Sequence, residues 1–263
     1  EMQRSLVGSE MCIRDRSKFW RYAAVIVVLF SVSYFSYWRG GISIKEVFSD
    51  IIVEAPLGSR TKLTLPDGTL VWLNAGSRIT YSQGFGVGNR KIELIGEGYF
   101  EVKRNEEVPF LVKTNSLLVK VLGTKFNFRD YPDDAEAIVS LSEGKVALNN
   151  LLKKEKEAFL LPNERVVLNK KNGRMHVEYS TVSNALQWTN GYLFFDEELL
   201  PDVVKELERS YNVKIQIASD TLNTFRFYGN FVHREQNIQE VLEALSATRK
   251  IHYIIEGHNI TLY

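Results

Sequence analysis

A few groups of residues in this sequence have the types and spacings from which a reactive or ligating centre is built. Asp130, Asp133 and Asp134, in the run DYPDD, are hard oxygen donors, but the run lacks the spaced acidic ligands and glycine of a calcium loop and reads as a solvated turn. Glu97, Glu101 and Glu143 offer the paired carboxylates of glycoside hydrolysis. Glu97 and Glu101 bracket the strand-like Tyr99-Phe100, nothing else marks a cleft, and all three read as charged rims of strands. His233, His252 and His258 supply imidazoles, but no two share the close spacing of a metal-ligand pair on one element, so they read as satisfied or exposed histidines. Gly84-Phe85-Gly86-Val87-Gly88 resembles a phosphate cradle without standing between a strand and a helix, and reads as a flexible hairpin tip. The single cysteine, Cys12, precedes the first apolar run, so everything after it folds without a disulfide, thiolate site or thiol nucleophile. No nucleophile, base and orienter assemble from these spacings. Catalytic, cofactor-binding and metal residues are therefore all assigned as none, no cofactor is expected, and the chain is expected not to be an enzyme.

The elements that must position these residues follow from composition and rhythm. In 263 residues, 44% are hydrophobic and 25% charged, enough for one large or two modest cores. Lys and Arg (33) nearly balance Asp and Glu (32), so no broad positive field exists to hold a nucleic acid. Tyr22 to Trp38 carries no charge and, with Phe19 and Trp20, is long enough to span a hydrocarbon layer. Trp20, Tyr22, Tyr34, Tyr37 and Trp38 crowd its ends, where amphipathic rings suit the two interfaces. A cleaved secretory signal also starts basic, but this run exceeds the usual signal core and no small-x-small site follows. Arg14, Arg16, Lys18 and Arg21 precede the run, against Arg39 and Lys45 after it, which orients the N-terminus toward the cytoplasm.

From 53 to 180, period-two alternation is broken by turn signals at short spacing, the pattern of an antiparallel β sandwich or roll of ten or so strands. Pro66-Asp67-Gly68 makes a hairpin of Lys62 to Leu65 and Leu70 to Leu73. Glu143-Gly144-Lys145, Pro162-Asn163-Glu164 and Asn172-Gly173 punctuate the later strands. From 181 to 263 the rhythm changes and repeats. Leu200, Val203, Val204 and Leu207 have the spacing of a helix face, followed by Val213, Ile215 and Ile217 at strand spacing. An offset of 38 returns the pattern as Ile238, Val241, Leu242 and Leu245, then Ile251, Tyr253 and Ile255. Pro201 suits a helix first turn, and Asn237 with Glu240 a capping box. Two such units make β-α-β-β-α-β, expected to share one sheet with both helices on one side, plus a last strand after Gly257. Such a sheet leaves an edge open to a partner's strand.

The runs LTLPDGTLVWLNAGSRITY (63 to 81), IELIGEGYFEVKRNEEVPFLVKT (92 to 114), VLGTKFNFRDYPDD (121 to 134) and LSEGKVAL (141 to 148) resemble the FecR family of anti-sigma factors. GYLFFDEELLPDVVKELERSYNVKI and its repeat are similar to the short N-terminal signalling domain of secretins and TonB-dependent transducers. The resemblance implies a single transmembrane helix (19–39), a linker (40–52), a FecR-type β domain (53–180) and a small βαβ-repeat domain (181–263). It also implies a place in the bacterial inner membrane, with the N-terminus cytoplasmic and the folded domains periplasmic. There a TonB-dependent transducer signalling domain would contact the periplasmic part and release an extracytoplasmic-function sigma factor inside. Residues 1–18 form only a residual cytoplasmic tail, and RSLVGSEMCIRDR within it resembles translated adaptor read-through. The family's cytoplasmic region of several dozen residues is absent, so the chain as given is expected to sense without holding sigma factor. The competing reading is a periplasmic carbohydrate- or cell-wall-binding module using Trp72, Tyr81, Phe85 and Tyr99.

Overall fold

The computed structural model describes residues 14–43, 49–179, 185–233, 235–247 and 251–263. Cys12 and Lys45 lie outside them. The chain divides into two compact units, Glu1–Ser49 and Asp50–Tyr263. The first carries helix α1 (Arg14–Ser43), in which Trp20–Trp38 is 19 residues long, apolar enough to cross a membrane and not buried against protein. A helix is the element an apolar spanning run must form, because hydrocarbon offers its backbone no other hydrogen-bond partner.

The second unit has two lobes, each with its own apolar core. The larger is a roll of thirteen strands organised around one long strand, β5 (Arg90–Glu101). The first half of β5 pairs with β4 (Ser77–Ser82) and, in parallel, with β6 (Phe110–Lys113). Its second half pairs with β3 (Leu70–Leu73) and β8 (Lys125–Asp130). The strand therefore belongs to two sheets. One continues through β1 (Asp50–Ala55), β7 (Leu117–Val121), β10 (Val146–Asn150) and β11 (Ala158–Leu160). The other continues through β2 (Thr61–Thr64), β9 (Glu136–Glu143), β12 (Glu164–Asn169) and β13 (Arg174–Tyr179). β1 starts at Asp50 and so takes up the last residues of the stretch read as linker. Between the sheets lie Phe100, Phe110, Phe126 and Phe128, all fully buried, with Phe100 stacked on Phe126 at 5.1 Å. Truncating one such ring costs about 3–5 kcal/mol, so this interior holds the roll.

One expectation changes here. β5–β6 is a parallel pair within an otherwise antiparallel roll. The turns at Gly144 and Asn163, which the sequence places between strands, each carry the chain from one sheet to the other, β9 to β10 and β11 to β12.

The smaller lobe contains β14 (Tyr192–Leu199), α2 (Leu200–Tyr211), β15 (Lys214–Ile217), β16 (Arg226–Val232), α3 (Ile238–Ser246), β17 (Tyr253–Glu256) and β18 (Asn259–Leu262). The first strands of the two repeats pair antiparallel with Leu193 opposite Phe231. These two residues are repeat equivalents, so a local two-fold relates the copies. The second strands break it. β18 inserts between them, parallel to β15 and antiparallel to β17, whereas the corresponding stretch of the first copy is a 3-10 turn (Asp220–Thr224). The expected single sheet is thus two, β14–β16 and β15–β18–β17. α2 has Pro in its first turn, and the Asn237 side chain caps α3 by accepting from Glu240 N at 3.0 Å.

Candidate functional site at the junction of the lobes

Helix α2 is polar on one side, but that side does not face water. Leu200, Val203, Val204 and Leu207 enter the core of the smaller lobe, while Glu206, Arg209 and Ser210, one turn of the other face, are equally buried. The repeat carries a sequence signal for this. The α3 equivalents of Glu206 and Arg209 are Ala244 and Ala247, so the charges are not needed by the helix-on-sheet unit itself.

Their partners come from the large lobe. The Asn74 side-chain amide donates to Glu97 Oε2 (2.9 Å) and, at 3.5 Å, to Glu206 Oε1. Glu97 Oε1 accepts from Asn127 (2.8 Å), whose carbonyl oxygen accepts from Trp188 Nε1 (3.2 Å). Arg209 donates to Asp134 (3.1 Å) and to Glu206 (3.4 Å) and lies 4.0 Å above the Tyr131 ring. Arg129 donates to the other Asp134 oxygen (2.8 Å) and approaches Glu206 at 3.9 Å. Tyr131 OH donates to Ala75 O (2.9 Å). Beside this network, a cleft of about 420 Å³ opens between Arg129, Trp188, Phe194 and Glu198. Every carboxylate oxygen of Glu97 and Asp134 is thus engaged by a neighbour, so the arrangement joins two lobes and presents no free nucleophile and base.

The electrostatics split the carboxylates. Burial pushes Glu97 above its ordinary value, and the like charge of Glu206 adds to this, against the opposing pull of Arg129 and the two amides. Burial would raise Asp134 and Glu206 too, but for Asp134 the guanidiniums of Arg129 and Arg209, and for Glu206 those two and Arg60, hold both below the usual range. A carboxylate depressed in the folded state contributes stability above its unfolded pKa and loses it as pH falls through the folded one. Glu97 has the opposite sign, its contribution being full below its ordinary 4.5 and lost as pH rises. Acidification from about pH 5 to 3 is therefore expected to lower the thermal midpoint, and Asp134→Asn to flatten that dependence. Circular-dichroism melts across this range check it; an equal slope in the variant would remove Asp134 from the account.

Several sequence readings are corrected. DYPDD is a turn solvated only at its tip, Pro132 and Asp133: Asp130 and Asp134 are buried, Asp130 paired with Lys170 at 2.6 Å. Glu97 is no strand rim, being buried, whereas Glu143 is exposed and pairs with Lys125 at 2.8 Å. Glu101 accepts from Tyr99 OH. Gly84 to Gly88 forms the tip between β4 and β5, anchored by buried Phe85. The histidines are separate: the His233 ring meets the Ser210 carbonyl at 2.6 Å, His252 lies by Tyr263, and His258 sits in the β17–β18 turn. Phe85 and Tyr99 are buried, Tyr81 packs on Phe85, and Trp72 is covered by Tyr99 and Lys62, so these rings form no exposed sugar platform.

A model of the FecR protein family matches residues 52–147, and a model of the FecR C-terminal region matches residues 192–262. Two crystal structures of a candidate anti-sigma factor from Parabacteroides distasonis are similar at 33% identity and a TM-score of 0.75. They cover 81% and 82% of this chain and 98% and 99% of their own. No curated protein matches the sequence.

Proposed function

The chain belongs to the FecR family of anti-sigma factors, a regulatory and non-enzymatic class, and on that premise we propose that it is the sensing half of a transmembrane relay. In this reading α1 spans the bacterial inner membrane once with its N-terminus in the cytoplasm. Both lobes stand in the periplasm, the signalling domain of an outer-membrane TonB-dependent transducer docks on the smaller lobe, and an extracytoplasmic-function sigma factor is the output. The chain catalyses nothing.

The observation that carries the docking site is the condition of the small sheet's two edges. On the β15 side the outward Ile215 N–H is already taken by the Glu208 carboxylate at 2.8 Å. On the β17 side, among the described residues, no strand pairs, and Ile254 and Ile255 are 49% and 39% exposed. His252 and Tyr263 exchange both backbone bonds. In an antiparallel ladder bonded pairs alternate, so Ile254 bonds inward to Thr261 while Tyr253 and Ile255 point their N–H and C=O outward. A partner strand adds to such an edge through main-chain bonds.

Ile255→Pro removes one outward donor without touching a β17–β18 bond. It is expected to weaken binding of the transducer signalling domain to the full chain in detergent by at least about tenfold, with the thermal midpoint unchanged. Wild-type affinity in the proline variant would move the docking site elsewhere. A wild-type chain that retains no signalling domain would end the relay reading.

A further inference from the structure

The element of the large lobe that comes after α1 in the chain is an edge strand of its sheet. β1 pairs only with β4, and of its residues only Ala55 is buried. The loop from β1 to β2 is tied both to the other lobe and to the junction network. Its Gly58 N donates to the Arg209 carbonyl at 2.8 Å, and its Arg60 Nε donates to Asn74 Oδ1 at 3.0 Å, the same amide that reaches Glu97 and Glu206. A helix leaves its last carbonyls without internal partners. At α2, Gly58 supplies the donor for Arg209 O, and the His233 ring meets Ser210 O. The loop thus completes the helix end, and Arg209 anchors that end to Asp134 and the Tyr131 ring.

We propose that α2 is a releasable latch on β1: with the smaller lobe docked the strand is held in its sheet, and displacement of α2 frees the segment nearest the membrane helix in the chain. This deepens the relay reading by naming the internal step between docking and the membrane. Two features make the latch releasable. β1 buries little apolar surface of its own, so its local opening is governed by the loop that anchors it. The junction is also incompletely satisfied, since Arg60 Nη2 and Arg209 Nε are buried with no hydrogen-bond partner among the described residues, which lowers the net gain of closing it.

The test is amide hydrogen exchange on the full chain in detergent, with no partner present, so its outcome is independent of the transducer experiment. Arg209→Ala is expected to speed exchange across residues 50–58 by about tenfold while β8 and β9 exchange as before. A cysteine pair provides the opposite arm. A Cβ built on Gly58 lies 3.6 Å from Asn212 Cβ, within disulfide range. In a Cys12→Ser background, Gly58→Cys with Asn212→Cys is expected to slow exchange of residues 50–55 about tenfold when oxidised relative to reduced. Faster exchange in α2 with β1 unchanged, or β1 exchange indifferent to the disulfide, overturns the latch. If Arg209→Ala does not fold, the oxidised against reduced comparison decides alone.

Discussion

Glu206→Ala is expected to lower the thermal midpoint of the Asp50–Tyr263 unit by roughly 10 °C, taking about 3–5 kcal/mol for breaking a buried ion network and a few degrees per kcal/mol at this size. Glu206 is buried, and Arg60, Arg129 and Arg209 all lower its pKa by their charge. Removing the carboxylate leaves those guanidiniums without their shared counter-charge, with Asn74 losing one acceptor. Glu206→Gln keeps the shape and should fall between the two. Glu143→Ala, which breaks the exposed Lys125 pair, should leave the midpoint unmoved, because solvent screens such pairs. Calorimetry on the three variants gives the comparison. If Glu206→Ala melts with Glu143→Ala, the junction network adds nothing to stability.

Gly96→Ala is expected to be more damaging, at about 4 kcal/mol or above, because two separate costs add at one position. Gly96 sits where β5 passes from one sheet to the other, with φ +99°, and a Cβ there would meet Ser77 Oγ at 2.5 Å and Ser77 Cα at 2.9 Å. Ser77 cannot simply rotate away. Its hydroxyl oxygen accepts from Glu97 N (2.8 Å) and contacts Tyr131 OH (3.1 Å), so the clash reaches the junction network directly. Gly86→Ala separates the two costs: Gly86 has φ +90° with nothing within 4 Å, so only the backbone term remains, about 1–2 kcal/mol. Urea unfolding of both variants measures the difference. Equal losses would mean that the bend tolerates a side chain and that close approach at Ser77 does not hold the two sheets together.

The residues at the junction show why a site can hide in a readable sequence. Glu206 and Arg209 look like the solvated face of an amphipathic helix, and DYPDD looks like a surface turn, because acidic and basic residues mostly stay in water. What buries them is a partner surface far along the chain, with Asn74 and Glu206 132 positions apart. The one local hint is the asymmetry of the repeat, charges in α2 against Ala244 and Ala247 at the matching positions of the second copy. An extra face on one copy of a duplicated unit is a place to expect a contact.

By itself the sequence determined the apolar helix, the strands of the roll, the duplicated βαβ unit with its offset of 38, and the family. All of these are written in local periodicity, turn chemistry and contiguous motifs. Only the tertiary structure decided which strands share a sheet, that Gly144 and Asn163 are crossovers, that the expected single sheet is two with β18 between β15 and β17, and that the charged face of α2 is interior. The physical reason is common to these. A turn residue sets its own φ and ψ, and a side chain its own polarity, but sheet partnership and burial are settled by surfaces that meet only after the chain has folded.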